Sequence, residues 1–354
     1  MEYSKKDVMQ YVEEEDVKFI RLLFLDINGV IKNISIMTNE LEKAFDQGIV
    51  IDTRGIKGFE DYKKILLKPE PSTISVLPWR PSQGRVIRMF CTMHHLDGRE
   101  IETSLRKLLK DTIKKYEDVA SEILMRGSFQ FYLFKNDEHG VQTNVPYDEG
   151  GYMDIAPLDK GENVRREIRL SLSEMDIETC ESFHGEAPGQ NNIALVEKDP
   201  IRSCEDSLTF TSVAKTMAAK NGLSADFKHL PEGGTIPSIH SIVIKAPAEK
   251  LHIYANRLKS HYSEMYFALN RDEYPYAFNT EKVEVDECLN EITVNGLSSS
   301  SNLYLAYSLV IAALGYEKEG TNADVSTLEN AKNAAFASDF VKENIPEAIL
   351  KKYL

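Results

Sequence analysis

The chain is short of positive charge. It carries 42 Lys and Arg against 56 Asp and Glu in 354 residues, a net charge of −14. Nucleic-acid binding rests on clustered cations that neutralise phosphates, so this balance argues against that partner class, and equally against an anionic membrane surface. Cysteine is scarce too. Cys91, Cys180, Cys204 and Cys288 are scattered, with no CxxC pair. That spacing argues against a disulfide framework or a zinc site and fits four reduced thiols. No run approaches the ~18–20 apolar residues that span a bilayer. The opening stretch, MEYSKKDVMQYVEEEDVKF, has no apolar signal core, so a cytoplasmic location is expected. Several catalytic signatures are missing as well. There is no GxxxxGK[ST] phosphate loop, no GxGxxG between a strand and a helix, and no GxSxG, HExxH or EF-hand loop.

What is present describes a folded protein. Hydrophobic residues make up 42% and charged residues 28%, enough apolar chain for a large core. The excess acid suits either a carboxylate-rich metal site or a solvated surface, and the surface is the simpler account.

Along the chain, residues 4–15 read as a short amphipathic helix that Ser4 can cap. Strand-like runs follow at Phe19–Leu25, Val30–Ile36 and Val50–Asp52, with a hairpin signal at Asp26–Gly29. Further strands are expected at Thr73–Leu77 and Arg85–Met93. From Ser104 the apolar residues take helical spacing. Strands at Phe129–Phe134, Ile177–Phe183, Asn191–Val196 and Ile239–Ile244 then alternate with helices at Val164–Met175, Leu208–Lys220 and Lys250–Leu269. The end reads as helical over Leu303–Leu314, Ser326–Ser338 and Ile345–Leu354. The class is α+β, with two domains meeting near residue 100.

Few segments concentrate chemistry. Glu181–Asn192 is polar and turn-rich; its His184 and Glu186 suit metal ligands, an acid–base pair, or plain loop groups. His229–Thr235 is a glycine loop before the strand carrying His240, and such a loop can aim N–H groups at an anion or simply turn the chain. Asp26 and Asp52 stand at strand ends where turns begin.

An ordered series of segments resembles the glutamine synthetase family, bacterial type I in character. Ile51–Phe59 resembles its FDGSSIxGF loop, and Ser72–Trp79 its ST-x-x-x-LPW. Gln130–Phe134 resembles EFFLF, and Gly150–Asp154 with Pro157, Asp159, Arg165 and Arg166 resembles GGYFD…P-x-D…RR. Glu181–Gln190 resembles ESHHExxPGQ, and Asn302–Ala306 resembles NPYLA. The resemblance runs along nearly the whole chain. It implies an N-terminal β-grasp-like domain over 1–102 and a catalytic-type domain over 103–354, a curved antiparallel sheet with flanking helices.

The family's activity is ATP-dependent ligation of ammonia to glutamate, with Mg²⁺ or Mn²⁺ held by five glutamates and a histidine. Carried over one at a time, those six positions fall on Ser128, Gln130, Gly185, Asn192, Ser238 and Thr293, so no metal is expected. The family's phosphate-binding arginines would lie in a stretch that is shortened here near 270–292, where Arg271 is the sole arginine. Asp52 keeps the position of the ammonia-activating aspartate. Gly234, Gln190 and His240 keep positions that contact substrate.

The expected function is a pseudoenzyme: a binding, scaffold or regulatory protein of nitrogen metabolism, with no cofactor. The alternative is a weak or altered glutamate–ammonia or γ-glutamyl–amine ligase. Its rebuilt site would draw on His184, Glu186, His229, Glu232 and His240, and it requires these to converge. A storage or structural protein of the same fold is a third reading. The resemblance implies a ring-shaped homo-oligomer, with a paralogous glutamine synthetase as a conceivable partner.

Overall fold

A computed structural model describes residues 3–271 and 282–353. The chain divides into two compact units. One comprises Met1–Asp111, Glu174–Asp176 and Ile345–Leu354; the other comprises Thr112–Ser173 and Ile177–Asn344.

The first unit opens with α1 (Lys5–Glu14), whose start is fixed by a capping box between Ser4 and Asp7 and whose Val8 and Val12 are buried. Strands β1 (Val17–Leu25) and β2 (Ile31–Met37) form the expected hairpin. At its turn, the Asp26 carboxylate accepts from the backbone N–H groups of Asn28 and Val30, and Gly29 takes a positive φ of 79°. Helix α2 (Leu41–Asp46) leads into β3 (Ile49–Asp52), β4 (Lys64–Pro69), β5 (Ser75–Val76) and β6 (Arg85–His94). The sheet order is β2-β1-β6-β4-β3, with β5 against β6; β1 and β6 run parallel. Alternate residues of the central strands, Ile20 and Leu22, Ile65 and Leu67, Ile87 and Met89, are fully buried in one core.

Two expectations change here. The strand expected over Thr73–Leu77 shrinks to Ser75–Val76, because Pro71–Thr73 form a 3₁₀ turn. The Thr73 hydroxyl ties that turn down by donating to Glu70 O and accepting from Phe90 N–H. The boundary expected at 102 falls instead inside helix α3 (Leu105–Lys115).

The second unit is built on β7 (Leu124–Asn136), a strand of 13 residues. Its sheet runs β13-β14-β12-β7-β10-β9, with β8 and β11 pairing the far end of β7, and every pairing is antiparallel. The strands are β8 (Gln142–Pro146), β9 (Thr179–His184), β10 (Gln190–Leu195), β11 (Leu223–Asp226), β12 (His240–Lys245), β13 (Val283–Asp286) and β14 (Glu291–Leu297). The helices are α4 (Glu117–Ala120), α5 (Glu162–Glu174), α6 (Pro200–Lys220), α7 (Leu251–Leu269), α8 (Leu303–Gly315), α9 (Leu328–Ala337) and α10 (Asp339–Asn344). No helix among the described residues is long and apolar enough to cross a membrane. Residues 272–281 of the stretch read as shortened lie outside the described residues.

Helix α6 covers one face of the sheet. Phe210 stacks on Phe129 with ring centroids 4.6 Å apart and meets Phe131 and Phe227 edge-on. Gly127 makes room for it, since a Cβ there would come within 2.5 Å of Ser207 Oγ. Helix α8 is buried from Leu303 to Leu314, as its nearly all-apolar sequence demands. Tyr307 is its main polar concession, and its hydroxyl meets Ser203 and Ser207 of α6 at 3.1 and 3.3 Å.

The last helix, α11 (Glu347–Tyr353), belongs to the first unit, not to a domain running to 354. Lys352 holds it there, donating to Gly58 O at 2.8 Å and pairing with Asp61 at 2.7 Å.

Phe210→Ala removes the ring that three aromatic side chains pack against. It should cost about 3–5 kcal/mol, read as an earlier urea transition, while Leu170→Ala on an exposed helix position should leave the transition within about 0.5 kcal/mol.

Candidate functional site

The face of the sheet away from α6 has a polar stretch around Ser128 and Gln130, beside an apolar cluster at Tyr132 and Phe134. Side chains of β7 alternate, so Phe129 and Phe131 point at α6 while Ser128 and Gln130 point the other way. Directly paired residues of antiparallel strands share a face. Ser128 pairs with Ser241 and Ala194, Gln130 with Asn192, and Val243 with both Arg126 and Thr293. Ser128, Gln130, Asn192 and Thr293 therefore stand on one face. Ser241 and Asn295 join them, the hydroxyl donating to Asn295 Oδ1 at 2.6 Å, and Asn295 donates on to Glu284 at 2.7 Å. Ion pairs flank the face, Arg126 with Glu291 and Lys245 with Glu197, each at 2.9 Å.

A pair of amides closes one end of this face. Gln190 Nε2 donates to Gln130 Oε1 at 3.4 Å and to Pro237 O at 3.2 Å. Its Oε1 accepts from the N–H groups of Glu186 and Ala187. Gln130 Oε1 also accepts from Ile239 N–H at 3.0 Å. The two glutamines thus tie β7 to the 185–190 turn and to the loop before β12. Gly185 is part of the arrangement, because a Cβ there would lie 2.6 Å from Gln190 Oε1. Ser238 Oγ, in the same loop, is buried without a hydrogen-bond partner.

Behind the turn lies a buried ionic knot. His184 is fully buried, with Nε2 2.9 Å from Asp148 Oδ1 and Nδ1 2.9 Å from Gly185 O. Both neighbours are acceptors, an arrangement that favours the doubly protonated ring. Asp148 also accepts from Gly189 N–H at 2.8 Å and Lys160 N–H at 3.0 Å. Burial pushes its pKa up, but the His184 and backbone hydrogen bonds outweigh it and hold the carboxyl at about 2. Burial likewise opposes the His184 charge, and the bonds to Asp148 and Gly185 O reverse it, raising the histidine above its ordinary value. Asp159 completes the knot against Arg165, whose guanidinium also donates to Asn191 Oδ1 at 2.6 Å. Gly150 is required beside it, since a Cβ would sit 2.8 Å from His184 Nε2.

Among the described residues, Asp148, Asp159 and His184 are the group of three whose ligand atoms lie close enough to share a metal ion. Their atoms are committed elsewhere: the imidazole to two acceptors, Asp159 to Arg165. The group is a structural joint. Asp148 carried no sign of this in the sequence, because its partner His184 lies 36 positions along the chain, whereas Asp159 and Arg165 belong to one motif and stand six positions apart.

The five residues of the rebuilt-site reading do not assemble. His184 sits in the knot. His240 is on the α6 face, its ring between Phe129 and Phe227 and its Nε2 3.0 Å from Gln130 O. His229 is exposed and pairs with Asp226 at 2.8 Å; Glu186 and Glu232 are exposed. No three of the five form a group able to share a metal. Alternation explains the split: His240 pairs with Phe129, so it must face the helices. Gly234 closes a turn with its N–H on Pro231 O. Asp52, in the first unit, is exposed at the end of β3, and Arg54 holds it below the usual carboxylate range, first through its backbone N–H and then through its guanidinium.

Two outcomes follow from this chemistry. The Asp148 contribution is complete above about pH 4 and is lost as pH falls toward about 2; the His184 contribution is complete at low pH and is lost as pH rises through its raised value. Thermal melts across pH should peak between these limits, and Asp148→Asn should flatten the profile. Gln190→Leu orphans the turn's N–H groups and should cost about 1–3 kcal/mol, whereas Gln130→Glu keeps an oxygen facing both donors and should cost clearly less by urea unfolding.

Comparison with known proteins places the chain. The family model described as the glutamine synthetase beta-Grasp domain matches residues 16–95, and the one described as the glutamine synthetase catalytic domain matches residues 102–237. A glutamine synthetase of Staphylococcus aureus is 38% identical over 232 residues, covering 65% of this chain and 52% of that protein. One of Clostridium saccharobutylicum is 37% identical over 231 residues, with the same coverage. The chain thus spans about half the length of the curated relatives it matches. Among solved structures, a Plasmodium falciparum glutamine synthetase superposes with a TM-score of 0.81 at 13% identity, over 99% of this chain and 95% of that one. Apo GmaS gives 0.81 at 16%, over 98% and 94%; at such identities the likeness speaks for the fold. On its own motifs, its two family-model matches and its fold, this chain belongs to the glutamine synthetase family.

Proposed function

We propose that this chain uses the glutamine synthetase fold to bind rather than to ligate: a scaffold or regulatory protein of nitrogen metabolism without metal- and ATP-dependent turnover. One observation carries the reading. Ser128, Gln130, Asn192 and Thr293, which the resemblance aligns with metal-binding glutamates, share one sheet face and offer only neutral oxygens. Mg²⁺ and Mn²⁺ select hard anionic oxygens in near-octahedral array. Gly185 offers no side chain, and Ser238 stands where the family's histidine would. This donor set does not fit the divalent ions that neutralise a transferring phosphoryl group.

The neutral face supports binding of a different kind. Its amides and hydroxyls both donate and accept, which suits an uncharged polar ligand or the main chain of a partner protein. A homo-oligomer, or mixed assembly with a paralogous glutamine synthetase, is the setting in which such a protein would act.

A second reading, an altered glutamate–ammonia or γ-glutamyl–amine ligase, has one observation in its favour: relatives at 38% identity are named glutamine synthetase. The two readings separate in one assay. With ATP, Mg²⁺ or Mn²⁺, glutamate and ammonium, the protein should release phosphate no faster than buffer. Metal-dependent release at the rate of an ordinary ligase overturns the proposal.

A further inference from the structure

Helix α5 and strand β9 enclose a cleft of about 570 Å³ on the second unit, apart from the polar sheet face described above. Three arginines of one helix line it: Arg165, Arg166 and Arg169. Their commitments differ. Arg165 is 5% exposed, and its Nη atoms serve Asp159 and Asn191, yet its Nε is buried with no hydrogen-bond partner. Arg165 is thus largely spent on the chain itself, and the side chains left available to the cleft are Arg166 and Arg169. Arg169 spends only Nε, on Thr179 Oγ1 at 2.8 Å, and Arg166 is exposed with no side-chain partner among the described residues. Thr179 and Ser182 add hydroxyls from the strand.

We propose that this cleft binds a small dicarboxylate. Guanidinium groups take carboxylates through paired N–H donors, a geometry that Lys does not offer. Arg166 and Arg169 stand three positions apart on the helix, neighbours on its surface with about 5–6 Å between their Cβ atoms. That spacing suits two anionic groups joined by a short carbon chain better than one compact tetrahedral anion. Glu162 and Glu178 stand on the same lining. They would repel a bare polyanion and would receive an ammonium, so an acidic amino acid and its amino-free counterpart share the carboxylate chemistry and differ at these two residues.

The test is titration calorimetry on the intact protein with glutarate, L-glutamate and inorganic phosphate. Arg166→Ala and Arg169→Ala alter exposed side chains and should leave the melting temperature in place. Each should weaken dicarboxylate binding about tenfold or more, the loss of one charged hydrogen-bonded contact. Tighter binding of L-glutamate than of glutarate, removed by Glu178→Gln, would support the site and identify its ligand as an acidic amino acid. Equal binding of the two would support it with an amino-free ligand. Absence of binding at millimolar concentration, phosphate binding as tightly as either dicarboxylate, or unchanged affinity in both arginine variants overturns it. These readouts need neither ATP nor metal, so the ligase assay and this titration fail independently.

Discussion

Strand β7 has to satisfy two unlike environments with one period-two sequence. Everything in the second unit answers to that. Phe129 and Phe131 supply the aromatic rings on which α6 lies, and between and beside them Ser128 and Gln130 supply a hydroxyl and an amide to the opposite face. A residue cannot cross from one role to the other without a bulge, because a slip of one position reverses every side chain. The same rule assigns His240 to the helices and Thr293 to the open face, whatever chemistry either could otherwise perform.

The fold is conservative where it is buried and spare where it is open. The knot of Asp148, His184, Asp159 and Arg165 keeps full charge in a dry environment and matches nearly every donor with an acceptor. Breaking one member of such a group leaves a buried charge uncompensated, which is far costlier than forming the pair is favourable. The open face follows the opposite policy: the described side chains at its centre carry no charge, and ions appear only at its margins. A framework that holds its charges inside, around Asp148, His184, Asp159 and Arg165, and neutral groups at Ser128, Gln130 and Asn192 is the physical ground on which the functional proposal stands.

Much of this was legible in the chain. The Asp26–Gly29 hairpin, the apolar run Phe129–Phe134 and the buried α8 each announce themselves through local pattern. What escaped has equally physical reasons. Helix α6 begins at Pro200 rather than near 208, although Asp199 before a proline is a recognisable start, its carboxylate accepting from Arg202 N–H. Strand β4 was hidden by lysines flanking its Ile-Leu-Leu centre, and β14 by short alternation with polar residues. The knot and the glutamine pair depend on contacts between residues tens of positions apart, which no local pattern encodes. The five-residue site failed for the same reason: proximity in sequence said nothing about which side of the sheet each residue would occupy.

The glutamine pair has one more consequence. An amide neither gains nor loses a proton anywhere between acid and alkali, and it carries no charge for dissolved ions to shield. The bridge from Gln190 through Gln130 to Ile239 therefore holds the same electrostatic state in every compartment and at every ionic strength. A carboxylate cradle is an instrument that must be loaded and unloaded with cations. This one is a fixed internal tie, and it holds the 185–190 turn and the loop before β12 in the same way in dilute buffer as in concentrated salt.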